Sequence, residues 1–107
     1  MRVSPVQAFT ANNQSQGSFQ LLTGESLAMV FDGAAGVMTI GLYYMADGTG
    51  GSDWVPVAFP DTNTVVSVAF TATTGGQRAI RGLPRGYYKM MTTAWTSGSK
   101  NACLIAY

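Results

Sequence analysis

No window of ten residues in this chain is well suited to a helix. Thirteen glycines and a steady supply of threonine fall at short intervals. Both lower helix propensity, glycine by about 1 kcal/mol relative to alanine. Between the breaks lie short runs rich in valine, isoleucine, tyrosine and phenylalanine, residues that suit a pleated, half-buried surface. Turn residues separate them at the spacing of an all-β sandwich. The runs are residues 19–23, 26–31, 37–45, 54–59, 65–72, 77–81, 87–95 and 101–107. The fold class that follows is all-β: a compact antiparallel β-sandwich of about eight strands.

The turns punctuate this reading. Gly24-Glu25 closes one turn, and Asp32-Gly33 opens a hairpin connection. Residues 47–52 form a glycine-rich loop, Asp61-Thr62-Asn63 and Gly75-Gly76 turn, residues 82–86 make a corner, and Ser97-Gly98 is a tight turn. Pro56 places its strand at an edge or a bulge. The run 37–45 is apolar on both faces, as expected of a central strand covered on each side. Same-face positions predict a core of Ile40, Leu42, Trp54, Val66, Val68, Phe70, Tyr88 and Met90.

Residues 1–18 stand apart. They are polar and without period, and Ala11-Asn12-Asn13-Gln14-Ser15-Gln16-Gly17 offers nothing to a core. They read as an extended N-terminal arm preceding a sandwich domain of residues 19–107. Val3, Pro5, Val6 and Phe9 are its apolar anchors, expected to lie along a neighbouring subunit or a larger surface. The segment also lacks the apolar stretch of a secretory signal, and no apolar run is long enough for a membrane-spanning helix.

Charge narrows the function. Charged residues make up 10% of the chain, against about 25% in an average domain. A surface built of Thr, Ser, Asn, Gln and Gly suits a protein largely covered by neighbours, since interface cores are depleted of charge. The net charge of +1 gives little pull on nucleic acid. The halves differ in sign: residues 1–61 carry Arg2 against Glu25, Asp32, Asp47, Asp53 and Asp61, while residues 62–107 carry Arg78, Arg81, Arg85, Lys89, Lys100 and no acid. The halves can interleave in one fold and neutralise each other, or form opposite patches that meet on neighbouring subunits; in the second reading Arg78, Arg81 and Arg85 are candidate contacts to another subunit through its carboxylates.

Chemistry finds little footing. The chain has no histidine, which removes Ser-His-Asp and Cys-His machinery and histidine-ligated metals. Asp47, Asp53 and Asp61 match no calcium loop and suit ordinary turns. Neither Glu25 with Asp32 nor Asp47 with Asp53 is placed in a cleft, as glycoside hydrolysis would require. The glycines at 48, 50 and 51 precede no helix that could cradle a phosphate. Cys103 is the single cysteine, a small core residue of the last strand. No catalytic residue, metal site or cofactor is expected. The aromatics Tyr43, Tyr44, Trp54, Tyr87, Tyr88, Trp95 and Tyr107 read mainly as core or interface anchors, with stacking on sugars as the other use.

Three segments resemble a known family. Ile40-Gly41-Leu42-Tyr43-Tyr44-Met45-Ala46-Asp47-Gly48, followed by Trp54-Val55-Pro56-Val57, resembles the strand, Asp-Gly turn and tryptophan-led strand of small virion proteins of tailed bacteriophages. Gly86-Tyr87-Tyr88-Lys89-Met90 through Thr96-Ser97-Gly98-Ser99 resembles their aromatic-basic-aliphatic strand closed by a Ser-Gly turn, and Leu22-Thr23-Gly24-Glu25-Ser26-Leu27 their early Gly-Glu turn. The resemblance implies a structural protein of the virion, foremost a capsid decoration or cement protein. Its partners would be the major capsid protein or other virion proteins. It would be a homo-oligomer, with a trimer matching capsid symmetry. A neck or tail accessory keeps the same class. A carbohydrate- or receptor-binding module of a fibre is the alternative, and would need a solvent-facing row of aromatics with polar neighbours.

Overall fold

The computed structural model describes residues 1–32, 36–45, 54–58, 67–72 and 75–107, with the backbone alone for 67, 68 and 70–72. Its ten strands are β1 (Arg2–Val3), β2 (Gln7–Phe9), β3 (Phe19–Leu21), β4 (Leu27–Phe31), β5 (Gly36–Met45), β6 (Val55–Pro56), β7 (Ser67–Ala72), β8 (Gly76–Ile80), β9 (Gly86–Gly98) and β10 (Lys100–Ala106). They form two antiparallel sheets of five strands each. The terminal sheet runs β1-β10-β4-β8, with β2 also on β10. The central sheet runs β3-β9-β5-β6, with β7 also on β5. The all-β sandwich is as the sequence indicates.

The two sheets close on one apolar layer. From the terminal sheet come Leu27 and Met29 of β4, Ile80 of β8 and Leu104 of β10. Ile40 and Leu42 of β5 and Tyr88 and Met90 of β9 meet them from the central sheet. Each fully buried aliphatic side chain contributes about 1.5–3 kcal/mol relative to an exposed one. Ile40, Leu42, Tyr88 and Met90 thus occupy their expected core positions. Trp54 does not: its ring lies outside, under the Lys89 ammonium at 4.6 Å from the ring centroid. Val66, and the side chains of Val68 and Phe70, fall outside the described residues.

One turn assignment changes. Asp32 leads out of β4, but the connection is not a hairpin, because β4 and β5 lie in different sheets. Ser97-Gly98 ends β9, which a single residue joins to β10 in the other sheet. A turn signal marks where a chain reverses and carries no information on which sheet it enters next. Gly33 itself lies outside the described residues. Gly98, at φ 76°, supplies the left-handed backbone that only glycine adopts without strain.

The largest correction concerns residues 1–18. They are not an arm extended onto a neighbour. β1 and β2 pair with β10 as one interrupted edge strand of their own sandwich. The chain then turns at residues 10–13, with Asn13 at φ 56°, a conformation asparagine tolerates better than most. It returns along β9 at the edge of the other sheet: Gln16 N donates to Met90 O at 3.1 Å and Thr92 N to Gln14 O at 2.9 Å, before β3 continues the pairing.

Three polar ties close this side of the sandwich. At one end Arg2 donates to the Glu25 carboxylate through Nε (3.1 Å) and Nη2, and to Gln20 O through Nη2 (2.7 Å). In the middle Gln16 is buried between the sheets. Its Nε2 donates to Ser4 Oγ at 3.4 Å, and its Oε1 accepts Met90 N at 2.9 Å. At the other end Thr92 Oγ1 donates to Ala11 O at 2.7 Å and accepts Gln14 N at 2.9 Å. Ordering a polar segment costs about 1–2 kcal/mol per residue in backbone entropy. Ladder bonds, these satisfied polar groups and the buried Phe9 ring offset it.

At the 82–86 corner, Tyr88 at the start of β9 donates its hydroxyl back to Pro84 O at 2.6 Å, and Tyr44 donates to Arg85 O at 3.1 Å. The two rings pack with centroids 5.0 Å apart at a 50° tilt. Desolvation, with Tyr44 nearby as a smaller cause, pushes the Tyr88 hydroxyl well above its usual range, so it acts as a neutral donor.

Candidate protein interface

The outer face of the terminal sheet carries a continuous apolar surface, part exposed and part half-buried. In β10, the alternation Lys100–Ala106 sends Ala102, Leu104 and Ala106 inward and leaves Asn101, Cys103 and Ile105 outside. Register places Cys103 beside Val30 and Ile105 beside Ala28 of β4. Ala28 in turn neighbours Ala79, and Val30 neighbours Gln77, both of β8. On the other side Val3 pairs with Ile105 and Ala8 with Asn101.

Two shallow depressions mark this face. One, of about 290 Å³, lies among Val6, Val30, Asn101 and Cys103. The other, of about 520 Å³, lies among Met1, Ala28, Ala79, Ile105 and Tyr107.

Among the described residues, charge is nearly absent from this surface. Asp32 stands at its rim, and both its carboxylate oxygens accept from Asn101, Oδ1 from the backbone N–H at 3.0 Å and Oδ2 from Nδ2 at 2.7 Å. Burial pushes the Cys103 thiol up, which keeps it protonated and unreactive. Among the described residues no three of His, Cys, Asp and Glu gather as metal ligands. Asp47, Asp53 and Asp61 lie outside those residues. Glu25 and Asp32 flank opposite ends of β4 and engage Arg2 and Asn101 respectively, so they form no pair.

The residues proposed from sequence as contacts separate into three groups. Val3 and Val6, 53% and 67% exposed, belong to the apolar face, with Pro5 exposed beside them. Phe9 does not. It is fully buried in the core, because its register opposite Lys100 turns it inward. Arg78 lies on β8, at the far edge of the terminal sheet, and Arg81 and Arg85 follow at the β8–β9 corner, all exposed. The apolar anchors and the arginines therefore occupy opposite edges of one sheet.

Sequence reading missed Val30 and Ile105, and Cys103, read as a small core residue, lies half-buried on the outer face instead, because it alternates with inward Ala102 and Leu104. The signal was present. Leu27–Phe31 and residues 102–106 are apolar at consecutive positions, the pattern of strands covered on both faces. In the structure the inward face of each strand is fully buried, and on the outer face Val30, Cys103 and Ile105 are half-buried.

No protein-family model matches this sequence, and no curated protein is significantly similar to it. Among solved structures, the SPBc2 prophage-derived protein YomS has a matching fold, with a TM-score of 0.56 and 11% sequence identity over 100% of this chain and 96% of that one. The likeness is one of fold: this chain shares its two-sheet architecture with a prophage-derived protein.

Proposed function

We propose that this protein is a structural component of a tailed-bacteriophage virion, foremost a head decoration or cement protein, that docks on other virion proteins through the outer face of its terminal sheet. The observation that carries the reading is the surface of exposed Val3 and Val6 with half-buried Val30, Cys103 and Ile105, which is apolar with Asp32 at its rim. Contiguous apolar surface of this kind marks interaction sites. A prophage-derived fold neighbour and the low overall charge support the same class. The role assigned is one of contact and not of catalysis. The partner is the major capsid protein, and the trimeric form remains part of the proposal.

Particle binding tests it. Val30→Glu and Ile105→Glu place carboxylates on the outer face without entering the core. Both variants should fold with unchanged circular dichroism and lose occupancy on purified particles. Undiminished decoration by both would overturn the reading. Label placement in images of intact particles separates a head location from a neck or tail one.

A further inference from the structure

The outer face of the central sheet differs in kind from that of the terminal sheet. Tyr87, Lys89 and Met91 point outward from β9, alternating with buried Tyr88, Met90 and Thr92. Thr39, Tyr43 and Met45 do the same from β5. Register sets Tyr43 beside Lys89 and Met45 beside Tyr87, so the two tyrosines are diagonal neighbours, within reach of each other's rings. Trp54 enters β6 one residue before Val55, which pairs with Tyr44. Its ring therefore flanks the same patch, held under the Lys89 ammonium at 4.6 Å.

Three partly exposed rings thus share one face with an ammonium and with the polar side chains of Gln20 and Thr39. The Tyr44 and Tyr88 hydroxyls are spent on the 82–86 corner. Those of Tyr43 and Tyr87 take no part in the hydrogen bonding inside the molecule described above.

We propose that this face binds a neutral polysaccharide, by stacking pyranose rings on Tyr43 and Tyr87, with the Lys89-capped Trp54 ring at the margin of the site. A pyranose ring offers a patch of C–H bonds on its face and hydroxyls around its edge. The π-faces of the tyrosines, negative in the quadrupole, complement the C–H patch. Tyrosine hydroxyls and the Gln20 amide complement the edge. A protein partner would be better matched by the aliphatic terminal sheet. A nucleic-acid strand would need a run of cations to track its phosphates; the described residues give this face only Lys89, whose ammonium already lies over Trp54. The proposal goes beyond the docking role and does not depend on it: one face would attach the protein and the opposite face would present rings to a cell-surface glycan.

Isothermal titration calorimetry of the full chain with maltohexaose, cellohexaose and chitohexaose provides the test, with tryptophan fluorescence as a second readout. At least one oligosaccharide should bind. Tyr43→Ala and Tyr87→Ala should each weaken it about tenfold, about 1.4 kcal/mol of lost stacking. Tyr87→Phe, which keeps the ring, should stay within about threefold of the parent. Ile105→Glu, on the other sheet, should bind as the parent does and so separates this proposal from the docking one. No binding to any of the three overturns the proposal. So does binding that the tyrosine truncations leave intact, or a change of oligomeric state in Tyr87→Ala without any effect on sugar.

Discussion

Ser4 Oγ accepts the backbone N–H of Leu104 at 2.8 Å, joining residues 100 positions apart. Ser4 N also donates to Leu104 O at 2.8 Å, so this one residue satisfies both backbone groups of Leu104 where Pro5 interrupts the edge strand. Ser4→Ala leaves a buried N–H without an acceptor and frees Gln16 Nε2 from its partner. The expected loss is about 1–3 kcal/mol, read as a lower denaturation midpoint in urea at constant slope.

Phe9 carries the N-terminal edge into the core. Phe9→Ala should cost about 3–5 kcal/mol. Removal of residues 1–9 should give a chain that no longer unfolds cooperatively, since β10 and the core would lose their cover. A truncated protein that melted like the parent would restore the view of residues 1–18 as a dispensable arm.

Gly86 sits at φ 147°, and a Cβ there would lie 2.6 Å from Tyr44 Cε1. Gly86→Ala combines a backbone penalty of about 1–3 kcal/mol with displacement of a packed ring. Tyr88→Phe removes only the bond to Pro84 O, at about 0.5–1.5 kcal/mol. Thermal melts of the two variants should rank in that order.

Much of this was legible in the sequence, and the limits have physical causes. Alternation in β9 and β5 located Tyr88, Met90, Ile40 and Leu42 because a strand covered by a core repeats every second residue. The edge formed by residues 1–18 was hidden because its stability resides in backbone pairing and in side-chain amides and hydroxyls, which leave no apolar period. Phe9 was visible as an anchor, but its target, its own core, was not. Trp54 misled because a large ring suits a core or a cation-bearing face equally well.

Arg78 sits on the edge strand β8 opposite buried Met29, a register position that would ordinarily face inward, yet it is exposed. A charge at such a position keeps an edge from pairing with another chain. Arg78→Val should leave the fold intact and raise self-association, seen by light scattering at increasing protein concentration. A monodisperse variant would show that the edge needs no guard.

Arg2 holds the Glu25 carboxyl below its usual range through its side-chain hydrogen bond, aided by the Leu22 N–H. A lowered carboxyl contributes stability that is full above its unfolded value and is lost as pH falls through the folded one. The melting temperature should therefore drop on acidification below the ordinary glutamate range. Glu25→Gln should flatten that part of the profile, and added salt should shrink the difference between the two proteins.

The pairing of β1 with β10 also sets a timetable. Residues 2–9 have no partner until residues 100–106 follow them, so the terminal sheet forms only after nearly the whole sandwich has been synthesised. Until then the inward-facing residues of β4 and the hydrophobic run of β5 wait uncovered, the condition in which slow β topologies meet other chains. Yield in the cell will thus depend on the interval between synthesis and closure, and a chain stalled before β10 is the species a chaperone would hold.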